Sequence, residues 1–161
     1  MFQAFALICH RAAQAAVIAL LGAILVIVVI QIVLRYGFGT SLTWSEEVVR
    51  YLLIWLTFVG AAVAVREGSL VGLDLLQRVA ERAGFDRSLG VLISLFGLAF
   101  VLAIAYYGYK LTMAPAIQRQ SFSTLPLPMS LVYAAVPVSA VLMTVQLIDQ
   151  ILGQFRTMRN D

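Results

Sequence analysis

The stretch "SLTWSEEVVRYLLIWLTFVGAAVAV", residues 41–65, decides the fold. From Leu52 to Val65 it carries no charge, yet Glu46, Glu47 and Arg50 crowd its front end. Thr43 followed by Glu46 fits the S/T-x-x-E capping box, in which hydroxyl and carboxylate each satisfy a free backbone N–H. A helix is therefore predicted to begin at Thr43. First-turn carboxylates also face the positive end of the helix dipole. Glu46 and Arg50 lie four apart with the acid first, the favourable order for a helical pair. Extended back to Trp44, the apolar run is long enough to cross a hydrocarbon core of ~30 Å, which takes about 20 helical residues.

The rest of the chain has the same character. Of 161 residues, 62% are hydrophobic and 12% charged, and the mean hydropathy is +0.97. That leaves too few polar residues to cover a soluble surface, so an all-α integral membrane protein is expected. The net charge of +3 comes from 11 basic and 8 acidic residues with no basic run, which argues against a nucleic-acid surface. Cys9 is the single cysteine, so no internal disulfide can form. With its neighbour His10 it supplies fewer ligands than the three or four a metal site needs. No metal and no cofactor is expected.

Four uncharged runs set the architecture as one membrane domain over residues 1–161. The spans are placed at 12–34, 44–65, 88–109 and 129–152. The first is too long for a signal-peptide core and is read as a retained span. Between spans two and three, Asp74, Gln77, Arg78, Glu81 and Arg82 recur at helical spacing opposite Leu73, Leu76, Ala80 and Ala83. This predicts an amphipathic helix over about 70–84, lying in the interface plane. The outer connection 110–128, punctuated by Pro115, Pro126 and Pro128, is expected to be irregular. With both termini inside, the inner side holds Arg11, Arg66, Arg78, Arg82, Arg87, Arg156 and Arg159. The outer side then holds Arg35, Arg50, Lys110 and Arg119, and this imbalance favours cytoplasmic termini. Trp44 and the cluster Tyr106, Tyr107 and Tyr109 then fall at the outer interface, where amphipathic rings are favoured.

Helical spacing divides span two. Glu46, Arg50, Leu53, Thr57, Gly60, Ala61 and Ala64 share one face, and Leu52, Trp55, Val59 and Ala62 another. Membrane helices turn polar and small residues toward other helices. The first face is therefore expected to be packed against protein, and the bulky face to meet lipid or a partner. Glu46, Glu47 and Arg50, with Arg35 at the end of span one, are expected to form a packed cluster in which Arg50 is paired. Asp149, near the inner end of span four, is read as a solvated helix-end residue.

The block "WSEEVVRYLLIWLTFVGAAVAVREGSLVGLDLL" resembles the signature region of the small, DctQ-type membrane subunit of the tripartite ATP-independent periplasmic (TRAP) transporters. The likeness falls on Trp44, Glu46, Glu47, Arg50, Tyr51, Trp55, Gly60, Ala61, Ala62, Arg66, Gly68 and Leu73–Leu76, including Asp74. "LPLPMSLVYAAVPVS", residues 125–139, resembles the same family's entry to span four. The resemblance implies a bacterial inner-membrane protein beside a much larger membrane subunit that carries the sodium and substrate sites. It also implies a periplasmic solute-binding protein that delivers an organic acid such as a dicarboxylate or sialic acid. The chain itself would be a scaffold, and Arg35, Trp44, Glu46, Glu47, Arg50, Trp55, Gly60 and Asp74 would be its structural and interface residues.

The residues agree with a scaffold. A stand-alone four-helix transporter or exporter needs an ionisable group deep in a span. Span one offers only Gln14 and Gln31, and span three is uncharged. A haem anchor needs axial ligands inside the bundle, and His10 precedes span one. No nucleophile with a base, and no carboxylate cluster, suggests an enzyme. The alternatives are a stand-alone small four-helix transporter or exporter, and a structural subunit of another membrane complex.

Overall fold

The structure, a computed structural model, describes residues 2–67 and 86–159. The interfacial helix predicted at 70–84, with Asp74, lies outside the described residues. Four long helices carry the fold: α1 (Phe2–Gly37), α2 (Thr43–Glu67), α3 (Asp86–Thr112) and, after the short α4 (Pro115–Gln118) and α5 (Ser130–Tyr133), α6 (Ala135–Arg159). By length and composition they supply four candidate membrane spans, at Gln3–Gly37, Thr43–Glu67, Leu95–Thr112 and Ser130–Gly153. The chain is a multi-pass membrane protein.

The helix ends follow from local chemistry. α1 starts well before residue 12 because nothing between Phe2 and Ala12 breaks a helix, and Arg11 is itself a good helix former. It stops at Gly37, where the left-handed Gly39 (φ 66°) turns the chain and the Thr40 N–H bonds the Leu34 carbonyl. At the start of α2 the expected capping box is not formed. Thr43 is already helical, the Ser45 N–H and hydroxyl both donate to the Leu42 carbonyl, and Glu46 reaches Gln31 instead. Between α5 and α6 the chain breaks at Ala134 because Pro137 has no N–H to give the Tyr133 carbonyl.

α2 and α6 form the centre. α6 packs on α3 and α2 and touches α1 less, while α1 leans mainly on α2. Small residues let the backbones approach. Ala6 and Ala13 of α1, Ala62 of α2, and Ala135, Ser139 and Ala140 of α6 are all buried. The closest approach is at Gly108 of α3, where a Cβ would sit 2.7 Å from Val136 Cγ1. Below it, Val101, Ala140 and Leu147 form the core, with Val65, Leu98 and Met143 packed around them.

The bulky face of α2, expected to meet lipid or a partner, is the one buried within this chain. Val59 and Ala62 are buried in the bundle, and the Trp55 indole donates to the Leu131 carbonyl at 3.2 Å. Glu46, Arg50, Leu53 and Thr57, four positions along one helical stripe, are exposed. The pattern marked one face as protein-seeking, and within this chain the other face found the protein. A flat apolar face of Trp, Val and Ala packs well against the small residues of α1 and α6, whereas the polar stripe has no complementary surface among them.

Candidate functional site

Polar side chains gather at the two ends of the bundle. At one end, the first turns of α2 support the connection to α6, which is more regular than expected. Ser121 and Pro128 form an isolated antiparallel bridge, with the Phe122 N–H on the Leu127 carbonyl at 2.9 Å and the Met129 N–H on the Gln120 carbonyl at 2.8 Å. The turn thus formed points two successive backbone N–H groups at Glu47. Its Oε1 accepts from Ser123 N–H at 2.9 Å and from the Tyr51 hydroxyl at 2.8 Å. Its Oε2 accepts from Thr124 N–H at 2.9 Å and from the Thr124 hydroxyl. Consecutive N–H groups converging on an anion make a strong, geometrically specific seat. The Tyr51 and Phe122 rings lie 4.3 Å apart at the same junction. Glu47 therefore ties this loop to the bundle through both of its oxygens.

At the opposite end, the Arg66 guanidinium of α2 reaches α6. It donates to Gln146 Oε1 at 2.6 Å and lies 3.3 Å from Asp149 Oδ2. Gln146, only 1% exposed, turns its amide toward the Ala6 carbonyl of α1 at 3.4 Å. Gln150 donates to the Val65 carbonyl at 2.6 Å. On the α1 side, Glu67 accepts from Gln14 at 3.0 Å and lies 3.9 Å from His10 Nε2. One arginine thus joins α2 to α6, and two amides extend the network to α1. Among the described residues no three His, Cys, Asp or Glu side chains come together as metal ligands.

The predicted site residues separate on this frame. Arg35 and Arg50 are exposed and form no ion pair among the described residues. The packed cluster around Arg50 is thus not formed, because the loop amides already occupy Glu47 and Arg50 points off the bundle. Trp44 sits exposed in the first turn of α2. Glu46 makes only the 3.5 Å contact to Gln31. Trp55 braces α5, and Gly60 faces open space. Asp149, read as solvated, is instead the partner of Arg66. The residues missed were Gln146 and Gln150; with Asp149 they recur at i, i+3 and i+4, one face of span four.

A family model described as "Tripartite ATP-independent periplasmic transporters, DctQ component" matches residues 24–157. The chain is 32% identical to the C4-dicarboxylate TRAP transporter small permease protein DctQ of Rhodobacter capsulatus, over 74% of this chain and 52% of that one. It is 28% identical to the sialic acid TRAP transporter small permease protein SiaQ of Vibrio cholerae, over 83% of this chain and 76% of that one. It is 26% identical to the isethionate TRAP transporter permease protein DctMQ of Oleidesulfovibrio alaskensis, over 73% of this chain and 18% of that one. The match thus spans about half the length of the Rhodobacter relative and under a fifth of the Oleidesulfovibrio one.

Proposed function

We propose that this chain, which belongs to the DctQ-component family of the tripartite ATP-independent periplasmic transporters, is a fixed scaffold subunit of a binding-protein-dependent uptake system. A larger membrane subunit carries the substrate and sodium sites, and a periplasmic binding protein delivers the solute. The chain itself needs no cofactor and catalyses no reaction. It lies in the bacterial inner membrane with both termini in the cytoplasm, as the distribution of basic residues favours.

The observation that carries this reading is where the ionisable groups stand. The charged side chains described in the four candidate spans lie in the terminal third of each span, with Arg50 the farthest in on α2. Those in networks join helix to helix, as Arg66 and Asp149 do, or helix to loop, as Glu47 does. Coupling a solute to an ion gradient calls for ionisable groups near the midplane, and bracing calls for them at the ends. The Oleidesulfovibrio relative supports the larger partner, since the segment like this chain is 18% of one permease protein. The names of the Rhodobacter and Vibrio relatives point to organic acids, a C4-dicarboxylate or sialic acid, as the class of solute.

The test is reconstitution. Liposomes holding this chain alone should take up neither succinate nor sialic acid under a sodium gradient. Adding the large subunit and the binding protein should restore uptake of one of them. Reproducible gradient-driven uptake by the chain alone would overturn the scaffold reading.

A further inference from the structure

The outward stripe of α2 poses a problem that the described residues do not solve. Arg50 lies six residues beyond Trp44, about 9 Å along the helix axis at 1.5 Å per residue. With the indole at the outer interface, the arginine belongs inside a hydrocarbon half-layer of ~15 Å. There it makes no ion pair and no hydrogen bond among the described residues. The burial of Val59 and Ala62 and the bond from Trp55 fix which way α2 faces, so Arg50 cannot turn into the bundle. Glu47 cannot serve it either, because the Ser123 and Thr124 amides hold that carboxylate.

The stripe continues down the helix through Leu53 and Thr57 to Gly60, where an added Cβ would meet no atom within 4 Å. Such a surface, charged above and small below, differs from the other outward faces. Ile18 and Leu25 on α1, and Phe96 and Phe100 on α3, present only hydrocarbon. Acyl chains satisfy those faces completely. They offer nothing to a guanidinium, whose five donors need acceptors in a neighbouring protein or, by snorkelling, at the headgroups, and the open ground at Gly60 lets a second backbone approach.

We propose that the stripe Glu46–Arg50–Leu53–Thr57–Gly60 is the seat of a transmembrane helix of the large subunit, which brings Arg50 a carboxylate or an unpaired backbone carbonyl. The proposal rests on the reading of this chain as a small subunit and says which face does the joining. It makes Arg50 an interface anchor and assigns it no contact with solute.

The test uses the co-expressed two-subunit complex in its membrane. A photo-crosslinking residue at Leu53 or Thr57 should yield an adduct with the large subunit. Arg50→Gln should lower the large subunit recovered with the chain about tenfold, the scale expected when a desolvated charge loses its partner, and Arg50→Lys should restore most of it. If the two subunits co-purify but positions 53 and 57 crosslink only to lipid, the stripe is a lipid face and the proposal is wrong. It is equally wrong if Arg50→Gln leaves recovery unchanged, since the guanidinium then rests on lipid phosphate. If the wild-type subunits do not associate at all, the scaffold reading itself fails and takes this one with it.

Discussion

Arg66 of α2 and Asp149 of α6 meet at 3.3 Å near the C-terminal end of α2, with side chains 21% and 13% exposed. Neither residue marks the other in the sequence, and together they fix the separation of the two central helices. The second oxygen of Asp149 is buried with no hydrogen-bond partner among the described residues, so this carboxylate depends heavily on Arg66. Truncating one partner of a buried pair leaves the other charge stranded, at a cost of several kcal/mol when burial is complete. Partial exposure lowers that figure. Arg66→Gln should destabilise the folded chain by roughly 1–3 kcal/mol. The double variant Arg66→Gln with Asp149→Asn should lose clearly less than the sum of the singles. Unfolding in mixed micelles measures all four corners of that cycle, and strict additivity would show that the pair does not couple α2 to α6.

The approach of α3 to α6 makes a second prediction. Gly108 has Val136 across the interface, with Cγ1 2.7 Å and Cβ 3.3 Å from where an alanine Cβ would stand. Neither atom can be moved as the tip of a flexible side chain could, since Val136 is β-branched and stiff at χ1. Gly108→Ala should therefore cost ~1–3 kcal/mol by overpacking. Val136→Ala in the same chain should recover most of that loss by removing the Cγ atom in the way. A Gly108→Ala chain as stable as the parent would mean the helices stand farther apart than described.

Topology is tested from outside. Arg11, Arg66, Arg156 and Arg159 fall on the side assigned to the cytoplasm, and Lys110 and Arg119 on the other. Reporter fusions after Asp161 and within residues 113–124 should therefore report opposite sides, with the C-terminal one cytoplasmic. A periplasmic signal from the C-terminal fusion would invert the scaffold and place the Glu47 loop inside the cell.

The spans were legible because an uncharged run of such length has few other folds available to it. Their boundaries were less so. Arg11 looked like the inner limit of span one, but α1 carries it within a helix that begins at Phe2. The contacts of the polar residues were the hardest part. Glu46, Glu47 and Arg50 lie close in sequence, and a local pairing rule links them. The fold gave Glu47 to Ser123 and Thr124, far along the chain. Likewise the polar stripe of α2 reads as protein-facing and is exposed within this chain, because a period of 3.6 carries no information about which surface packs on which. Asp149 was read from its distance to the helix end, while its pairing depends on a packing angle between α2 and α6 that no local pattern encodes.

The last prediction returns to the charges at the front of span two. If Glu47 holds the outer loop, its substitution should release residues 119–129 and leave the helices in place. Glu47→Gln is the informative change, because it keeps the shape of the side chain. One of the two oxygens becomes an NH2 group, which cannot accept from Ser123 or Thr124 and would set donor against donor. Hydrogen exchange of the chain in nanodiscs reads this directly. The Ser123 and Thr124 amides should be protected in the parent and should exchange in Glu47→Gln at the rate of neighbouring exposed amides. Tyr51→Phe removes one of the hydrogen bonds to Glu47 but leaves both backbone amides bonded, so it should produce a smaller rise. Arg50→Gln should leave the exchange of the loop unchanged, because Arg50 touches neither the loop nor Glu47. The reverse ranking, with the loop freed by Arg50→Gln and unaffected by Glu47→Gln, would mean that the three charges act as one local cluster after all.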